Sequence, residues 1–87
     1  MPPEIASSAA PGIVRLLNTA GGRVLCLAGA IDASSVESFL RRYGREPMPV
    51  DGIDTGSVTR LSVSALDLLL HHLDEAERAG RPVRIRR

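Results

Sequence analysis

The chain has no tryptophan and, among its 87 residues, one phenylalanine, one tyrosine and one cysteine. With so few rings, the core must be aliphatic. A lone cysteine excludes an intrachain disulfide and fits a reducing compartment. Lysine is also missing: all 11 basic residues are arginine, which the base composition of a GC-rich genome explains without any special arginine chemistry. No apolar run reaches the ~18 residues of a membrane-spanning helix, and no basic segment followed by an apolar one marks a signal peptide. A cytoplasmic protein is expected. The formal charge of +1 gives no strong field, so neither nucleic acid nor membrane insertion is implied.

Motifs of chemistry are scarce too. No G-x-x-x-x-G-K-[ST] or G-x-G-x-x-G phosphate loop is written, and no G-x-S-x-G elbow, so no cofactor is expected and the protein reads as a non-enzyme. His71 and His72 are neighbours, which on a helix point about 100° apart and cannot chelate one metal. No metal site is expected; one histidine should sit at a packed edge and the other in solvent. Cys26, in an apolar run, reads as a small buried hydrophobe. Arg81, Arg84, Arg86 and Arg87 make a basic C-terminal stretch without aromatic neighbours, better suited to guarding a strand edge than to holding nucleic acid.

What is present points to one small α/β domain. The apolar fraction of 44% is that of a globular chain. Residues 1–12, rich in Pro, Ala and Ser, read as a flexible tail, and 13–87 as the domain. Strands are expected at 13–17 and 23–28, joined by a Gly-rich turn at 18–22 into a hairpin. Residues 29–32 read as a turn. A helix over 33–43 has the stripe Val36, Phe39, Leu40 and Tyr43; Ser34 with Glu37 forms a capping box, and Asp32 competes as N-cap. A short strand at 50–54 and a turn at 55–57 follow. Residues 58–61 then lead into the longest helix. Its expected stripe is Leu66, Leu69, Leu70, Leu73 and Ala76, with Ser64 as N-cap, Asp67 in the first turn and Gly80 as the stop. A last strand at 83–85 completes the order β-β-α-β-α-β: a mixed sheet covered by helices, with β-α-β strands parallel. Such a small core leaves only a few kcal/mol of net stability, so a partner chain or a homodimer is an expected support.

Three segments carry a family resemblance. Leu27-Ala28-Gly29-Ala30-Ile31-Asp32-Ala33 is similar to the "sGelDa" strand–helix junction of STAS domains, the sulphate transporter and anti-sigma factor antagonist family. Ile53-Asp54 ahead of Val58-Thr59 is similar to its "vvlDlsgvt", and residues 58–70 to its "vtfiDssGlglLl". The match spans 23–85. It implies a small mixed sheet with helices, and protein recognition: antagonists of this family bind an anti-sigma factor of kinase-type fold until a serine in the turn is phosphorylated. On that alignment the phosphoacceptor is Val63, which has no hydroxyl; Ser62 stands for the acidic residue before it, Ser64 is kept, and Ala65 replaces a glycine. The phosphoserine switch is therefore not expected unless Ser62 or Ser64 has taken it over. Family members usually continue into a further C-terminal helix, and the expected fold, read to Arg87, is of this type without that helix.

The partner surface implied is the turn Ser62, Val63, Ser64 and Ala65, with Thr59, Arg60, Asp32 and Asp54 near the same end of the sheet. For Ser62 and Ser64 the plainer role is capping or turn chemistry, and likewise for Asp32 and Asp54. Leu68-Leu69-Leu70-His71 with Leu73-Asp74 and Gly80 also resembles the small STAS subunit of the bacterial phospholipid-transport ABC complex, which docks on an ATPase. The alternative function is therefore an accessory subunit of such a complex.

Overall fold

The computed structural model describes residues 12–87, so all but the last residue of the expected tail lies outside the described residues. The elements run β1 (Ile13–Thr19), β2 (Gly22–Ile31), α1 (Ala33–Tyr43), β3 (Gly52–Leu61), α2 (Val63–Arg78) and β4 (Arg84–Arg86), in the expected order. The sheet order is β1-β2-β3-β4. β1 and β2 form the antiparallel hairpin, while β2/β3 and β3/β4 are parallel.

Side-chain alternation divides the sheet into two faces. Val14, Leu25, Leu27 and Ile53 share one face and join Val36, Phe39, Leu68 and Leu69 of the helices in a single buried cluster. Both helices therefore cover the same side. The other face carries two transverse rows, Leu17–Val24–Gly52–Arg84 and Arg15–Cys26–Asp54–Arg86. Among the described residues, no helix lies on it. Cys26 belongs to this open face and is half-buried, not a core residue. Burial first, and Asp54 second, raise its thiol pKa against the opposing pull of Arg15.

The strands are longer than their apolar runs suggest. Residues 29–31 continue β2 where a turn was expected, because Gly29 takes φ +80°, a conformation open to glycine, without leaving the ladder. Residues 55–57 likewise continue β3. Between the pairs Cys26–Asp54 and Ala28–Ser57, β3 uses one residue more than β2, which is a bulge. Asp54 Oδ1 accepts the Gly56 N–H at 2.9 Å there, a turn-type contact made inside a strand. A second extra residue, Thr59, falls between the pairs of Val58 and Arg60.

α2 is rotated from its expected phase. Its buried residues are Ala65, Leu68, Leu69, His72 and Ala76, whereas Leu66 and Leu70 are 48% and 52% exposed. Both stripes obey helical spacing, and the observed one includes a histidine that hydropathy alone rejects. His72 is buried because both ring nitrogens are satisfied. Nδ1 lies 2.9 Å from the Leu68 carbonyl, and Nε2 accepts the Met48 N–H at 3.3 Å. That pattern requires the neutral Nδ1–H tautomer. His71 is exposed, as one of the pair was expected to be. The helix ends in a Schellman motif: Gly80 has φ +68°, its N–H reaches the Glu77 carbonyl, and the Arg81 N–H reaches that of Ala76.

Candidate functional site

The two helix N-termini lie side by side at one end of the sheet. Ile31 and Leu61 are the last paired residues of the parallel strands β2 and β3. Each is followed by a single cap residue, Asp32 or Ser62, and then directly by a helix. The Ser62 N–H bonds to the Ile31 carbonyl at 2.9 Å, fixing the second cap to the end of the neighbouring strand.

Of the two caps weighed for α1 the structure uses Asp32, and the cap of α2 differs from the expected Ser64. Asp32, not Ser34, caps α1. Its Oδ1 accepts the Ser35 N–H at 2.9 Å and the hydroxyls of Ser34 and Ser35 at 2.9 and 3.0 Å. The first of these bonds, then the hydroxyl contacts, hold its carboxyl pKa below the ordinary value. Glu37 does not complete a capping box; it pairs with Arg45 at 2.7 Å. In α2, Ser62 is the N-cap and not Ser64: its Oγ accepts the Ala65 N–H at 3.1 Å. Ser64 lies within the first turn, because β3 runs unbroken to Leu61 and leaves Ser62 as the first residue free to cap.

The predicted site residues separate into three groups. Asp32, Arg60, Ser62, Val63 and Ser64 gather at this end. Val63 is 78% exposed, and Leu61 (39%) and Leu66 (48%) flank it in sequence with apolar surface of their own. Thr59 is exposed at the bulge one residue further back. Ala65 is fully buried, so it offers no surface and serves the core beneath the turn. Asp54 is not at this end, as expected from the sequence, but on the open face. Five residue steps along β2 lead from its partner Cys26 to Ile31, roughly 16 Å at strand rise.

Sequence reasoning passed over one structural residue. Asp51 precedes β3 at the opposite end of the sheet. Its Oδ2 accepts the Arg23 N–H at 2.9 Å, its carbonyl accepts the Arg84 N–H at 3.0 Å, and Oδ1 faces Arg81 at 3.6 Å. It thus ties β2, β3 and β4 together, and no local pattern announces that. His72 is legible in part: one of the two histidines was expected at a packed edge, but its bond to the Met48 backbone, far away in sequence, was not.

Among the described residues, no cluster of His, Cys, Asp or Glu could hold a metal ion, and no helix is long and apolar enough to cross a membrane. Compared with protein-family models, curated proteins and solved structures, the chain matches none.

Proposed function

We propose that this chain is a protein-recognition module of the STAS type, acting like an anti-sigma factor antagonist. It would bind a kinase-fold anti-sigma factor with the turn that opens α2, together with Asp32 and Arg60. One observation carries this reading: Val63, an aliphatic side chain, is 78% exposed in the first turn of a capped helix, with exposed Leu61 and Leu66 beside it. Folding gains nothing from exposed aliphatic surface, and a cluster of it is characteristic of contact sites. Nothing there suits catalysis. The Ser62 hydroxyl is committed to its cap, and no histidine stands at that end of the sheet.

Valine in place of an acceptor serine makes the turn permanently neutral. In a phosphorylated relative, a phosphate at the helix N-terminus would suit its own helix, so its effect would fall on the interface through bulk and charge. This protein would then stay in the binding state. Calorimetry against a kinase-fold anti-sigma factor of the same genome should give a complex that Val63→Asp weakens at least tenfold while the thermal midpoint holds. Intact mass after incubation with that kinase and ATP should be unchanged. A stoichiometric phosphate, or binding indifferent to Val63→Asp, would refute the reading. Co-purification of an ABC ATPase instead would favour the accessory-subunit function.

A further inference from the structure

We propose that the chain assembles head to tail, the outer face of α2 from one copy covering the open sheet face of the next. The two surfaces are complementary in shape class and in charge, and each lacks cover among the described residues.

The helix surface comes first. Val63, Leu66, Asp67, Leu70, Asp74 and Glu77 recur at spacings of three and four and so share the side opposite the buried stripe. Leu70 is central and 52% exposed. Asp67 and Glu77, ten residues apart, fall about 80° apart around the axis, one on either side of Leu70. Neither makes an ion pair among the described residues. The helix thus presents an apolar line with acidic margins.

The sheet surface has the opposite character. Leu17, Val24 and Cys26 line a shallow hollow of about 570 Å³ that Arg84 and Arg86 also border. Arg15 stands on the other edge strand in the same row as Arg86. None of these three arginines has an ion-pair partner among the described residues. The apolar centre is therefore flanked by cations on both edges, matching the acidic margins of α2. Asp51 and Asp54 also border the hollow; Asp51 faces Arg81 at 3.6 Å, and Asp54 sets one negative charge against the three arginines, so the surface stays net positive.

Parallel ladders are ordinarily covered on both faces, and here β2, β3 and β4 are parallel with helices, among the described residues, on one face only. A helix laid across the sheet is the usual cover. α2 is about 24 Å long at helical rise, enough to cross four strands spaced ~4.8 Å apart. The two surfaces are different patches of one molecule, so the contact is heterologous and a pair of copies keeps one helix face and one sheet face free for the next. The proposal does not depend on the identity of any other partner.

Light scattering across a concentration series tests it, with two variants confined to exposed charges. Arg84→Glu/Arg86→Glu spoils the sheet surface, and Asp67→Arg/Glu77→Arg spoils the helix surface. The wild-type mass should rise above the 9.3 kDa monomer with concentration and fall back as salt is added. Each variant alone should associate at least tenfold more weakly. Mixed together they should associate again, the two variants alternating, since acidic helix meets basic sheet at one contact and the reversed charges meet at the next. The four substitutions combined in one chain should restore association. A wild-type protein that stays monomeric to millimolar concentration would overturn the proposal. So would association that survives either variant, or a mixture that stays monomeric.

Discussion

Val63, Leu66 and Leu70 are aliphatic residues that the fold does not use, and their neighbours Ala65, Leu68 and Leu69 are ones that it does. The contrast gives a sharp expectation. Leu69→Ala should cost roughly 2–5 kcal/mol in urea unfolding, as core leucines do, while Leu70→Glu should change stability by no more than about 0.5 kcal/mol. Equal losses would mean that α2 is turned otherwise. Ser62→Ala should cost ~1 kcal/mol, a lost N-cap, and Ser64→Ala much less. His72 makes a pH prediction. Burial, the largest influence, holds its pKa below the ordinary 6.5, against the opposing hydrogen bond to Leu68. As pH falls, the unfolded chain therefore takes up this proton before the folded one. The stability that neutral His72 contributes is fully present above about 6.5 and declines as pH falls toward the folded pKa. Protonated Nε2 also cannot accept the Met48 N–H. Urea midpoints at pH 7.5, 6.5 and 5.5 should fall in that order, and His72→Leu should flatten the trend.

At the scale of the element, the sequence is legible wherever chemistry is local. α1 runs over Ala33–Tyr43 as its spacing and Gly44 predict, and the glycine stop of α2 holds at Gly80. The hairpin and the two parallel pairings follow from the alternation of strands and helices. What could not be read has a common cause: one composition serves two structures. Asp54-Thr55-Gly56 has the makeup of a turn, and the structure uses it as a bulge, because Asp and Gly satisfy both. Gly29 reads as a strand end and is a positive-φ residue within a strand. The leucines at 66, 68, 69, 70 and 73 spread over more than half of the circumference of α2, so two overlapping stripes fit, and a buried histidine with a distant partner settles the phase. The cap was misplaced by two residues because only the length of β3, fixed by its pairing with β2, sets where α2 begins. Asp51 belongs to the same group. Its three contacts reach elements remote in sequence, and Asp51→Ala should cost about 1 kcal/mol or more through the orphaned Arg23 N–H.

At the scale of the molecule, the described residues form two helices on one face of a four-stranded sheet and leave two surfaces over. The candidate site was legible in part. Residues of the turn before α2 do gather with Asp32, because parallel neighbours β2 and β3 end together and each passes straight into a capped helix. Asp54 lies elsewhere, since β3 does not stop at residue 54 but continues to Leu61, which places Asp54 near the far end of the strand. The recognition site and the proposed assembly surface share Val63 and Leu66, so a partner bound at the turn and a neighbouring copy on α2 should exclude one another. Added anti-sigma factor should accordingly lower the mass of the self-assembled species, not decorate it.

The most direct measurement is a titration of the isotope-labelled protein with a kinase-fold anti-sigma factor, followed by amide chemical shifts. Shifts concentrated at Asp32, Arg60, Val63, Ser64 and Leu66 are predicted. Shifts confined to Cys26, Asp54 and Arg86 of the open sheet face, or none at saturating partner, would contradict the proposed role of the α2 turn.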